Sequence, residues 1–119
     1  MTEISKKILP SFPACQARAK KLINERLKYY NQFYNFQYNK LSIRRQKTRW
    51  GSCSKKRNLN FNYKVLFLPP KIRDYIMIHE LCHLKEFNHS NRFWKLLATS
   101  MPDHEEIIQE LKIKGLSIS

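Results

Sequence analysis

The sequence predicts an α+β fold: a long N-terminal helix, a small antiparallel or mixed sheet, and a run of helices in the C-terminal half. Three observations carry that expectation. Apolar residues recur at helical spacing between Ala14 and Tyr38, short stretches between residues 41 and 63 alternate apolar with polar, and prolines and capping residues punctuate everything after Pro69. At 119 residues the chain is read as one domain, residues 1–119, with a single modest core.

The elements follow in order. Pro10 and Pro13 bracket Ser11 as a helix start, and from Ala14 to about Tyr38 the residues Ile23, Leu27, Tyr30 and Tyr34 form one apolar stripe. Tyr29, Phe33 and Phe36 make a second stripe beside it, so the helix is expected to pack through its aromatic side chains. Leu41-Ser42-Ile43-Arg44 alternates like a half-buried strand, and Leu59-Asn60-Phe61-Asn62-Tyr63 does so again after the turn-rich Ser54 to Asn58. Gly51 lies between them, one of only two glycines, and marks a bulge or a close backbone approach. Pro69-Pro70 halts the preceding segment and opens a helix, with Asp74 near its start to suit the dipole; this helix is expected to run to about Phe87. Ser90 caps a short helix holding Phe93, Trp94, Leu96 and Leu97, which Pro102 ends. Asp103 with Glu106 reads as a capping box for a last helix carrying Ile107, Ile108 and Leu111.

The helix after Pro70 carries the chemistry. It contains His79-Glu80-Leu81-Cys82-His83, and His89 follows six residues later. With about 3.6 residues per turn, positions four apart sit above one another, so His79 and His83 can grip one ion while Glu80 lies beside it. That is the arrangement of a catalytic zinc site: the metal lowers the pKa of a bound water to about 7 and the carboxylate takes its proton. Every other residue from Tyr75 to Leu84 is apolar or aromatic, so the helix is buried all round. Two histidines and a carboxylate in such a setting cost several kcal/mol, of order 2–7 each, unless paired or metal-bound. His89 has to fold back from beyond the helix to be a third ligand. Should it not, a downstream carboxylate, Glu105, Glu106 or Glu110, is the alternative.

Charge and cysteine content bound the setting. The formal net charge is +14, and it resides in residues 1–64, where sixteen Lys/Arg face only Glu3 and Glu25. A field of that sign suits polyanions, and Arg44, Arg45 and Lys47 are the candidates for contacting nucleic acid beside the substrate edge. Cys15, Cys53 and Cys82 are odd in number and scattered, which argues for buried thiols over a disulfide framework. The N-terminal stretch has no apolar core of leader length, and the longest apolar run, Val65 to Pro70, is far short of the ~20 residues that span a bilayer. A soluble, reducing, cytoplasmic setting is expected.

Taken together, Arg49-Trp50-Gly51-Ser52-Cys53-Ser54, Asn60-Phe61-Asn62, Pro69-Pro70, Asp74-Tyr75, His79-Glu80-Leu81-Cys82-His83-Leu84, Asn88-His89-Ser90 and Phe93-Trp94 resemble the YgjP-like family of zinc-dependent hydrolases. That family is related to the SprT-like and minimal-scaffold gluzincin peptidases. The resemblance covers residues 41–108 and leaves residues 1–40 outside it. It implies a small zincin-like domain, Zn2+ held by His79, His83 and His89, and Glu80 as general base. It also implies that the Arg49–Ser54 block lies on the sheet near the cleft, where Trp50, Gly51 and Ser52 on an edge strand could hold an extended polypeptide substrate. Tyr63, Arg92 and His104 are candidates for a second electrophile. Competing expectations are hydrolysis of nucleotide phosphoanhydrides, and a DNA-associated SprT-like protease or nucleic-acid-binding module. Oligomeric state is not legible.

Overall fold

The computed structural model describes residues 11–116, so Pro10 and the stretch read for a leader lie outside the described residues. Helix α1, Phe12–Asn31, begins after an extended Ser11 with Pro13 in its first turn, where a missing N–H costs nothing. Its buried line is Cys15, Ala19, Ile23 and Leu27, four apart, and the small Cys15 and Ala19 let it approach the sheet closely. The helix ends at Asn31, short of the expected Tyr38. Asn31 explains the stop: its side-chain amide donates to the Phe36 carbonyl and accepts from the Phe36 N–H, both at 2.8 Å, and Asn35 takes a left-handed φ of 59°. The chain turns there, and Tyr34 stacks on Phe36 at 5.2 Å while its hydroxyl donates to the Leu96 carbonyl at 2.8 Å. Of the second aromatic stripe only Phe36 packs against the core as expected. Tyr29 and Phe33 are 49% and 46% exposed, because Tyr29 lies about 200° round the helix from Leu27.

Three strands follow: β1, Lys40–Arg44; β2, Gly51–Cys53; and β3, Asn58–Asn62. Their order is β1-β3-β2, with β1 parallel and β2 antiparallel to the central β3. Leu59 and Phe61 alternate inward from β3 and are fully buried, as period-two patterning requires. Tyr63 does not extend the strand; it opens a 3-10 turn, Tyr63–Phe67, whose first N–H groups are met by the Asn62 side chain accepting from Lys64.

Helix α2, Pro70–Cys82, starts on Pro70 and threads the middle of the molecule, with Ile72 and every residue from Asp74 to Cys82 buried. Asp74 serves an ion-pair cluster and not the helix dipole: it lies beyond the first turn and accepts from Arg26 at 2.9 Å, Tyr30 at 2.9 Å and Arg73 at 3.1 Å. That cluster staples α1 to α2. α2 ends at Cys82, short of Phe87, because the Cys82 carbonyl takes both the Lys85 and Glu86 N–H groups and turns the chain back. Helix α3, Asn91–Ser100, and helix α4, His104–Ile113, complete the fold. The expected capping box at Asp103 does not form. Asp103 sits at φ −89°, ψ 18°, outside the extended region a cap needs, and its carboxylate faces Lys71 at 3.7 Å. Among the described residues no helix is long and apolar enough to cross a membrane.

Candidate metal centre

His79 stands one turn before the end of α2, His83 caps that end, and the turn through Glu86 returns His89 to the same spot. The three Nε2 atoms converge: His79 to His83 is 3.2 Å, and His89 lies 3.1 Å from each. Two ring backs are held. The Glu86 carbonyl accepts from His83 Nδ1 at 2.9 Å, which leaves His83 Nε2 as a bare lone pair, and the Tyr75 hydroxyl lies 3.3 Å from His79 Nδ1. Phe93 stacks on His83 at 4.6 Å and Trp94 on His89 at 5.9 Å, so aromatic walls fix the rings as well.

This donor set fits a metal ion. Bonds of 2.0–2.1 Å in a tetrahedron separate neighbouring donors by about 3.3–3.4 Å, close to the spacing the three nitrogens already have. Bare lone pairs facing one another at this range would repel, and either a ring N–H shared between two of the nitrogens or a cation among all three relieves that repulsion. Among the described residues these histidines are the one group so arranged; Glu105, Glu106 and Glu110, the alternative ligands, are exposed and outside it.

Glu80 points from the next position of α2 and is only 2% exposed. Burial pushes its carboxyl up to about 8, partly offset by the positive charge of Arg49, and its Oε2 has no hydrogen-bond partner. β2 lies directly against it. A Cβ built on Gly51 would stand 3.0 Å from Glu80 Cγ, 3.2 Å from Phe61 Cδ1 and 3.3 Å from the Asn60 carbonyl oxygen, so the close backbone approach expected at this glycine is present. Ser52 accepts from the Asn60 amide at 3.3 Å, and Trp50 is half-buried against the core, its carbonyl accepting from the Asn62 N–H at 2.9 Å.

Other candidates fall elsewhere. Arg44 closes β1, on the opposite edge of the sheet from β2, where its guanidinium donates to Asn60 at 2.8 Å; Arg45 and Lys47 are exposed on the loop that follows. Arg44 therefore does not stand on the expected substrate edge, since β3 separates its strand from β2, whereas Arg45 and Lys47 belong to the loop that leads on to β2. Tyr63 packs edge-on against Phe12 at 5.5 Å, Arg92 is exposed, and His104 stacks on Trp94 at 5.8 Å with Nδ1 facing the Met101 carbonyl. The residue that sequence reasoning passed over is Tyr75, and the signal was there: it precedes His79 by one turn. The three cysteines are free thiols, Cys82 being pushed up to about 12 by burial.

Comparison with known proteins gives the same answer by another route. The model of the YgjP-like metallopeptidase domain matches residues 5–114. The chain belongs to the YgjP-like metallopeptidase family. The family match takes in α1, which the motif-based resemblance over residues 41–108 left out. The fold is similar to the crystal structure of the metallopeptidase zymogen abylysin of Pyrococcus abyssi, with a TM-score of 0.69 and 25% identity over 82% of this chain and 99% of that one. It is also similar to the metallopeptidase zymogen jannalysin of Methanocaldococcus jannaschii, with a TM-score of 0.63 and 29% identity over 82% and 97%. A comparison with curated proteins returns no match. This YgjP-like chain is thus a peptidase-type hydrolase with an α+β fold and three histidines placed to bind a metal.

Proposed function

We propose that the chain is a zinc-dependent metallopeptidase in which His79, His83 and His89 hold the ion and Glu80 is the general base. The observation that carries this reading is the convergence of three Nε2 atoms within 3.2 Å beside a buried carboxylate whose Oε2 has no partner. Zinc bound there supplies a Lewis acid and brings the pKa of water near 7. Glu80 takes the proton of the attacking water on its carboxylate and returns it to the departing amine, because its burial leaves it no competing partner. The Tyr75 hydroxyl and the Glu86 carbonyl keep the His79 and His83 rings in orientation from behind.

β2 is an edge strand, paired only with β3, and its Gly51 abuts Glu80. An extended peptide adding to that edge through main-chain hydrogen bonds would be carried past the base, which supports a polypeptide over a nucleotide phosphoanhydride as substrate. The two metallopeptidase structures support the same choice. The test is zinc-loaded protein incubated with a denatured, unstructured substrate. Glu80→Gln should retain zinc and fold yet cut at least ~10²-fold more slowly, the usual worth of a positioned proton-transfer group. Undiminished cleavage by that variant would remove Glu80 from the mechanism.

A further inference from the structure

We propose that the cleft between α2, α3 and α4 beside the histidines is the subsite that selects the substrate, and that it takes a bulky uncharged apolar side chain flanking the scissile peptide bond. This rests on the peptidase reading above. The cleft has a volume of about 380 Å³, and Tyr75, Trp94, Ile108 and Leu111 present its apolar surface. His79 and His89 line it too, so it is continuous with the candidate metal centre.

Its position relative to Glu80 follows from the helix. At about 100° per residue, Tyr75 lies about 40° to one side of His79 on α2 and Glu80 about 100° to the other. The base and β2 therefore flank the cluster on one side and the cleft flanks it on the opposite side. A peptide backbone carried along β2 past Glu80 would direct a neighbouring side chain across the histidines into the cleft.

Size and chemistry define the occupant. Ligand pockets run to roughly 300–1,000 Å³, and this cleft stands at the low end, enough for one large side chain and its immediate neighbour. An ammonium or guanidinium placed against Trp94, Ile108 and Leu111 would lose its water with no partner in return, and a carboxylate would lose its water with only the exposed Lys112 ammonium to meet it. Lys112 is the one charged lysine, arginine or acidic side chain on the lining; it is exposed, its stem extends the apolar wall, and its ammonium repels Lys and Arg of a substrate. Leu, Met, Phe and Tyr fit these limits, and Ala is too small to gain from them.

The experiment digests a randomised peptide library with the zinc-loaded chain and maps the cut sites by mass spectrometry. Separately, N-acetyl-leucinamide, N-acetyl-phenylalaninamide and N-acetyl-lysinamide are titrated into the metal-free chain while the Trp94 indole N–H is followed by NMR. Cut sites should carry Leu, Met, Phe or Tyr on one fixed side of the bond, favoured over Ala and Lys by about 10- to 100-fold, the range a hydrophobic pocket supplies. Leucinamide and phenylalaninamide should shift the Trp94 signal and lysinamide should not. Ile108→Phe should fill the cleft and move the preference about 10-fold toward Ala, and Ile108→Ala should enlarge it in favour of larger side chains. Metal-dependent cleavage with a flat profile, or a profile untouched in both Ile108 variants, overturns the subsite while leaving the peptidase reading intact. No cleavage of any peptide together with Trp94 shifts for the apolar amides would instead remove the peptidase reading and keep the cleft as a binding site. Neither cleavage nor shifts would overturn both.

Discussion

Helices α1 and α2 lie against each other, yet they use polar residues in opposite ways. α1 buries four of its twenty residues and leaves its lysines in water; α2 buries ten of thirteen, Asp74, His79 and Glu80 among them. In α1 a polar side chain is the default for a solvated face. In α2 each one sits in low dielectric and needs a partner or a purpose: Asp74 has Arg26, Tyr30 and Arg73, His79 has Tyr75 and its neighbouring rings, and Glu80 is left with Oε2 unpartnered. The difference teaches where chemistry can be stored: a helix buried on all sides, stapled by one ion-pair cluster, can hold a carboxyl that an exposed helix would simply hydrate.

The contrast can be broken or sharpened by substitution. The largest effect is expected from removing the proposed ligand at the C-terminal end of α2: His83→Ala should lower zinc affinity by two orders of magnitude or more, measured by competition with a chromogenic chelator, because second-sphere changes alone cost about 10–100-fold. His89→Ala makes the more informative comparison, since unchanged affinity there would remove His89 from the site. Next comes Asp74→Ala, which strands Arg26 and Arg73 and should cost about 1–3 kcal/mol in chemical denaturation, discounted because Arg26 is one-third exposed. A loss under ~0.5 kcal/mol would show that the staple does not matter. Gly51→Ala should lower kcat by roughly 10-fold with zinc retained, as expected when a base is shifted by tenths of an ångström, while wild-type kinetics would mean that β2 yields freely. Smallest of all, Glu25→Ala on the open face of α1 should change stability by no more than about 0.5 kcal/mol and leave zinc binding alone. Arg44, Arg45 and Lys47 to Gln together should likewise leave zinc binding unaltered.

Much of this architecture was legible in the chain because the signals are local. The spacing of His79, Glu80 and His83 needs only helical geometry, Pro70 announces its helix, and the alternation around Leu59 and Phe61 is that of a strand. What failed depended on partners distant in sequence or on side chains competing with the backbone. Asn31 ends α1 by bonding to Phe36, which periodicity cannot see, and Asp74 turns from dipole to ion pair only once α1 is folded against α2. Asp103 lacks the backbone angles of a cap, and Arg44 is separated from β2 by a strand order that local sequence does not encode.

The indole of Trp94 lies between two imidazoles, 5.9 Å from His89 and 5.8 Å from His104, with rings tilted only 27° and 14° from its own. Indole emission is sensitive to a stacked imidazole and to whatever that imidazole bonds. The chain has only one other tryptophan, Trp50. The candidate centre therefore carries its own optical reporter: in a Trp50→Phe background, metal arrival at His89 can be read from intrinsic fluorescence in real time, without label or substrate.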